Sequence, residues 1–272
     1  MNNPVIISCV NLKGGVGKTA IAVNLAAYCG IKKKKTLLID LDPQTNATFS
    51  CISPEDWQKH AAERGTVANL LGVRQHTSAE GKSKSAAEVI KGSVFNNVDL
   101  LPSHLDLFTI DLDIGSEVAR ETKLKRALKD VVSDYDVIIC DCPPNLTIPT
   151  QNALALSTHY IVPVSPDFLS SLGIALLLTR VKKFSDELDS PIEHAGIIMS
   201  RVGRPSYFRA QTIESLRKTF GTKVFDTEIR ERSSVSESAA KNLPIFSMQD
   251  IEAVKEFTRL GGEILAEVGL TA

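Results

Sequence analysis

The junction at residues 5–29 restricts the fold more than any other feature of this chain. An unalternating apolar run, Val5–Val10, leads into Lys13-Gly14-Gly15-Val16-Gly17-Lys18-Thr19, and a helix-patterned stretch, Lys18–Cys29, begins inside that loop. Strand, glycine turn and helix in that order open a βα unit. The rest of the chain keeps the same rhythm. Further strands are expected at Thr36–Ile39, Val98–Leu101, Val137–Cys140, Tyr160–Val164 and Gly196–Met199, each rich in Val, Ile or Leu as strands covered on both faces are. Helices are expected at Arg120–Val132, Ser170–Phe184, Arg209–Thr219 and Ile251–Val268. The implied class is α/β: a mainly parallel, twisted sheet flanked by helices.

With 272 residues, 43% of them hydrophobic, the chain can bury a core as one domain spanning 1–272. Residues 53–92 read as irregular and partly a loop insertion, with the polar stretch Glu80–Ser85 as an exposed loop. The run Lys32–Lys35 falls between a helix and a strand and reads as a solvated turn. The five cysteines have no framework spacing, so they read as reduced, and Cys140 and Cys142 as small core residues. The N-terminus lacks the basic and long apolar stretches of a secretory leader, and no apolar run reaches the ~20 residues that span a bilayer. A cytoplasmic protein is expected.

The glycine loop carries specific chemistry. Glycines let backbone N–H groups turn inward around phosphate oxygens, and the helix N-terminus adds its positive end. Gly14, Gly15, Val16, Gly17, Lys18, Thr19 and Ala20 are therefore the candidate nucleotide-binding residues. Lys18 would reach the β- and γ-phosphates, and the Thr19 hydroxyl would ligate Mg²⁺. The usual loop pattern needs glycine at position 12, where this chain has Leu12, and a second lysine, Lys13, opens the loop. Two strands then end in acids: Asp40-Leu41-Asp42-Pro43-Gln44 and Asp141-Cys142-Pro143-Pro144. Ligands of open parallel sheets bind beyond the carboxyl ends of strands, where these acids and the loop both fall.

These three motifs resemble the ParA/MinD family of deviant Walker-type ATPases, specifically its ParA (Soj-like) branch. Thr66–Leu71, Leu100–Ser103 and Ser236–Pro244 extend the likeness over nearly the whole chain. The resemblance implies a P-loop NTPase with ATP and Mg²⁺ as cofactors, and a homodimer that sandwiches two ATP molecules. Lys13 would cross to the partner's phosphates, offsetting charge on the transferring phosphoryl group. Asp42 would position the attacking water, Asp40 would support the metal shell, and Asp141 would hold Mg²⁺ through water. Lys13, Lys18 and Asp42 are thus the catalytic candidates, and Thr19, Asp40 and Asp141 the metal candidates. The resemblance also implies non-specific DNA binding by the ATP-bound dimer. A ParB-like or other adaptor would stimulate slow hydrolysis, giving a nucleoid-associated protein that positions a plasmid, a chromosome or a protein cargo.

Residues 201–232 carry eight Lys/Arg against four acids, a net +4 in a chain of net −1. That is the electrostatic footprint of phosphate contacts. Arg201, Arg204, Arg209, Arg230 and Arg232 are the DNA-binding candidates, although Glu231 stands where the family often has the contacting arginine. Without a helix-turn-helix pattern, the contact should be backbone-directed and salt-dependent. A MinD-like membrane cycle would need a basic C-terminal amphipathic helix, yet residues 250–272 hold five acids against only two cations, Lys255 and Arg259. A cluster-bridging reductase would need separated cysteines away from the nucleotide, whereas Cys140 and Cys142 flank Asp141.

Overall fold

The computed structural model describes residues 3–73, 84–167, 170–188, 190–204 and 206–270. Its strands are β1 (Val5–Cys9), β2 (Thr36–Asp40), β3 (Lys91–Phe95), β4 (Val98–Leu101), β5 (Val137–Asp141), β6 (His159–Val164) and β7 (Glu193–Met199). They form one seven-stranded sheet in the order β3-β4-β2-β5-β1-β6-β7. All neighbours are parallel except β3, which returns antiparallel along β4 at the edge. Every strand read from the sequence is present. β3 was not anticipated, because Lys91-Gly92-Ser93 has neither the β-branched character nor the burial of a central strand.

The helices are α1 (Lys18–Ile31), α2 (Asn46–Cys51), α3 (Pro54–Glu63), α4 (Val67–Leu71), α5 (Ala86–Val89), α6 (Ile110–Ile114), α7 (Lys123–Ala127), α8 (Ile148–Leu156), α9 (Ser170–Glu187), α10 (Tyr207–Phe220), α11 (Ser233–Ala240) and α12 (Ile251–Glu267). Successive strand residues point to opposite faces, so the sheet divides the core in two. Ile6, Leu37, Ile39 and Ile138 join the layer holding Leu124, Leu154 and Leu177. Ile7, Leu38 and Ile139 join the layer holding Ile21, Leu25, Phe257 and Ile264 from α1 and α12.

Two expectations change. Residues 53–73 are largely helical rather than irregular: Ser53 accepts from the Asp56 N–H at 3.1 Å, Pro54 opens α3, and Glu55 and Asp56 lie in its first turn. Most of the Glu80–Ser85 loop lies outside the described residues. The helix expected over Arg120–Val132 is instead a short turn, then α7, then tightened turns, since Lys129 and Val131 donate three residues back, to Arg126 and Leu128. The lysine run is indeed a turn, with Lys33 at φ 60°. All five cysteines are free and buried.

The helix after the glycine loop lies close on the sheet edge. A Cβ on Gly30 would collide with the Asn96 carbonyl of the β3–β4 turn and come within 2.9 Å of Val98 Cγ2.

Candidate nucleotide site

The loop between β1 and α1 sits at the carboxyl ends of β1, β2 and β5, beside the point where the strand order departs in both directions from β1. Its path depends on glycine: Gly15 has φ 73° and Gly17, the residue before α1, has φ 85°, a region costly for side chains. Asn11 pins the loop's base, donating to the Pro163 carbonyl at 2.7 Å and accepting from the Lys13 N–H at 2.9 Å. Ser200, at the end of β7, donates to the Val16 carbonyl from the far side.

Two lysines occupy different environments. Lys18 is buried, and its Nζ donates to the Lys13 carbonyl at 3.1 Å, which leaves the ammonium at the mouth of the loop. Lys13 projects outward, its side chain 59% exposed, and is ion-paired with Asp167 after β6. The structure therefore brings Lys18 into the loop and leaves Lys13 on the surface beside it.

The acids separate in the same way. Asp40 and Asp141 are directly paired in register on β2 and β5, and both are buried. Asp40 accepts from the Thr48 N–H at 2.8 Å, the Thr48 hydroxyl at 2.7 Å and the Asp42 N–H at 3.1 Å. Thr48 lies in the first turn of α2, and Thr45, the residue before that helix, makes no side-chain cap. Asp40 thus does the work of an N-cap from a neighbouring strand. Burial still pushes its carboxyl up to about 7. Asp42 accepts from the Gln44 N–H at 2.9 Å and faces the loop cavity.

Asp141 differs from both: neither carboxylate oxygen completes a hydrogen bond. Burial, and then the charge of Asp40, raise it well above the usual carboxylate range, while the Thr19 hydroxyl and Lys18 pull it down. A buried carboxylate with no partner is costly. Next to Thr19 and beyond the loop, it fits a hard cation with oxygen ligands. The residues present therefore suit a metal-bound triphosphate.

A cavity of about 750 Å³ opens over Gly15, Lys18, Thr19 and Asp42. Its lining also includes Val235 of α11, Leu243 just after it and Phe257 of α12, none assigned to the site from sequence. Of these three, only Leu243 falls within the Ser236–Pro244 likeness.

The five arginines fall into two groups. Arg201 donates to the Gly15 carbonyl at 2.8 Å and pairs with Glu231, so it is held over the phosphate loop. Arg232 is held between Glu256 at 2.7 Å and Asp250 at 3.7 Å. Arg204 is exposed; Arg209 donates to its carbonyl and adds positive charge near Glu231. Arg230 is 70% exposed, with Glu256 3.8 Å from its Nε. Glu231, the departure from the family pattern, is thus neutralised by Arg201.

Comparison with known proteins agrees with this geometry. The family model described as an AAA domain matches residues 5–194. The chain is 32% identical over 262 residues to the chromosome-partitioning ATPase Soj of Treponema pallidum, covering 96% of each chain. It is 32% identical over 239 residues to the cell division protein PomZ of Myxococcus xanthus, covering 87% of this chain and 70% of that one. The fold superposes on the ATP complex of a McdA variant from Cyanothece with a TM-score of 0.81 at 18% identity, covering 100% of this chain and 99% of that chain. With its deviant phosphate loop, its strand-end aspartates and these relatives, the chain belongs to the ParA/MinD family of deviant Walker-type ATPases, on the Soj-like branch.

Proposed function

We propose that this protein is a partitioning or positioning ATPase whose nucleotide state controls dimerisation and attachment to DNA. The cofactors are ATP and Mg²⁺, and the observation that carries the reading is the unpartnered, buried Asp141 carboxylate beside Thr19 and Lys18. Bound metal would neutralise charge on the phosphates and on the transferring group. Thr19 and Asp141 would hold that metal, while Asp40 keeps α2 and Asp42 in place around it. Lys18 and the backbone N–H groups from Gly14 to Ala20 bind and orient the phosphates. Asp42, free on the cavity side, positions the attacking water.

Lys13 acts in trans. Leaving Asp167, it reaches the nucleotide of a second copy, so ATP binding and dimerisation are one event. The single domain, residues 1–272, attaches to DNA without base sequence preference through Arg204, Arg209 and Arg230, with Arg201 and Arg232 shaping that face from within. A ParB-like or other adaptor stimulates hydrolysis and releases the protein, and the relatives' roles in chromosome partitioning and cell division point to a cellular cargo of that scale.

A membrane cycle is disfavoured, since α12 buries Ala253, Phe257, Leu260, Ile264 and Leu265 against the core rather than offering an apolar face to lipid. Among the described residues no helix is long and apolar enough to cross a membrane. Light scattering and DNA gel shift with ATP, ADP and no nucleotide test the proposal. A dimer and a salt-sensitive shift with ATP·Mg²⁺ alone are expected; a nucleotide-independent monomer that ignores DNA would sink it.

A further inference from the structure

The first turn of α10 presents two aromatic rings to solvent. Tyr207 is 73% exposed and Phe208 78% exposed, with ring centroids 5.9 Å apart in an edge-to-face pair. The tyrosine is held in place by Gln211 Nε2, which donates to its hydroxyl at 2.7 Å. These rings do not belong to the core: α10 packs through Leu216, with Ile213 and Phe220 partly buried. Two adjacent rings left in water are a patch that asks for a partner.

The surroundings say which partner. Arg204 and Arg209 flank the rings in sequence, Ser206 caps the helix by accepting from the Arg209 N–H at 3.3 Å, and the first turn contains no acid. Rings beside cations and a helix N-terminus complement a polyanion that carries flat apolar faces. A second exposed apolar stretch among the described residues, Leu105, Phe108, Leu112 and Val118, is interleaved with Asp106, Asp111, Asp113 and Glu117 and would repel such a partner.

We propose that Tyr207 and Phe208 contact nucleobases directly, stacking on or wedging between unstacked bases of DNA whose phosphates are held by Arg204 and Arg209. The inference rests on the DNA-binding reading above and deepens it: contact with base faces is sequence-tolerant, because every base has one. It adds an apolar, salt-insensitive component to an otherwise electrostatic attachment. DNA that is single-stranded or easily opened is then held more tightly than its charge alone predicts.

The test measures fluorescence anisotropy of labelled oligo-dT and of a mixed-sequence duplex, with ATP and Mg²⁺, across a salt series. Tyr207→Ala with Phe208→Ala should weaken oligo-dT binding about tenfold or more, the loss expected for one stacked base, with the slope of log affinity against log salt unchanged. Arg204→Ala with Arg209→Ala should lower affinity for both DNAs and flatten that slope. Phe208→Trp should retain binding, and its emission should be quenched by oligo-dT beyond any response of the single native Trp57. Wild-type affinity for both DNAs in the aromatic variant overturns the base contact alone and leaves phosphate-directed binding standing. Failure of the wild-type protein to bind either DNA with ATP overturns the reading beneath it. Loss of binding to phosphatidylglycerol vesicles in the aromatic variant, with DNA binding intact, overturns the inference in favour of a lipid surface.

Discussion

Asp40 and Asp141 lie side by side on adjacent strands, yet replacing each with alanine should have opposite consequences. Asp40→Ala strands two buried backbone donors, the N–H groups of Thr48 and Asp42, and removes the acceptor of the Thr48 hydroxyl. Each unsatisfied donor costs about 1–3 kcal/mol. Some of that is returned, because burial already makes this carboxylate unfavourable, pushing it up to about 7. A net loss of about 3 kcal/mol lowers Tm by roughly 6–12 °C for a chain of this size. Asp141→Ala strands no backbone donor, since neither of its oxygens completes a hydrogen bond, and it removes a burial penalty and repulsion from Asp40 and Asp42 that outweigh the pull of the Thr19 hydroxyl and Lys18. Its nucleotide-free Tm should match or exceed that of the wild type. The response to ligand separates them in the other sense. Saturating ATP and Mg²⁺ at about 100 times Kd stabilises by about 2.7 kcal/mol, and Asp141→Ala should lose most of the Mg²⁺-dependent part of that shift. Scanning calorimetry of both variants with and without ATP and Mg²⁺ decides it. An Asp141→Ala protein as destabilised without nucleotide as Asp40→Ala, or one keeping the full Mg²⁺-dependent shift, refutes the reasoning.

Other consequences are smaller or more local. Asp167→Asn frees Lys13 from an exposed ion pair worth about 0–1 kcal/mol, and a dimer frees two, so ATP-dependent dimerisation measured by light scattering should strengthen by at most about thirtyfold; weaker dimerisation would mean that Asp167 helps the assembled state. Asp42→Ala should keep ATP affinity by equilibrium binding but lose phosphate release, and normal turnover would remove Asp42 from catalysis. His194 is pushed down to about 4, chiefly by burial, so the folded state takes up fewer protons than the unfolded state between about pH 4 and 6.5. Its contribution is complete above the unfolded pKa and is lost as pH falls, by about 2 kcal/mol after allowing for partial solvent exposure. His194→Phe, which keeps a ring against Tyr160, should flatten the acid limb of a Tm-against-pH curve, and an unchanged limb would exonerate this histidine. Gly30→Ala should cost about 1–3 kcal/mol despite better helix propensity, because the added carbon meets backbone in the β3–β4 turn; a stabilised variant would show that this turn yields freely.

Local chemistry made much of this protein legible in its sequence. Continuous Val/Ile/Leu runs mark strands covered on both faces, and the glycines at positions 15 and 17 permit a turn that few other residues accept, so the parallel sheet and the phosphate loop were readable before any contact was known. The helices of residues 53–73 were readable too, through Ser53, Pro54 and the acids after them, but their caps were outweighed by the polar character of the region. Tertiary structure alone decided what each charged group does. Asp40 and Asp141 look alike as strand-end acids, and only the packing of α2 adds two Thr48 donors to the Asp42 N–H on the first, while the second completes no hydrogen bond. Arg201, Arg204 and Arg232 look alike as members of a basic run, and only long-range folding brings Gly15 and Glu231 to the first, Glu256 to the last, and leaves the middle one exposed. A motif sets which groups are available, but whether a charge is satisfied depends on neighbours far away in the chain, and that is settled when the sheet and its helices close around the phosphate loop.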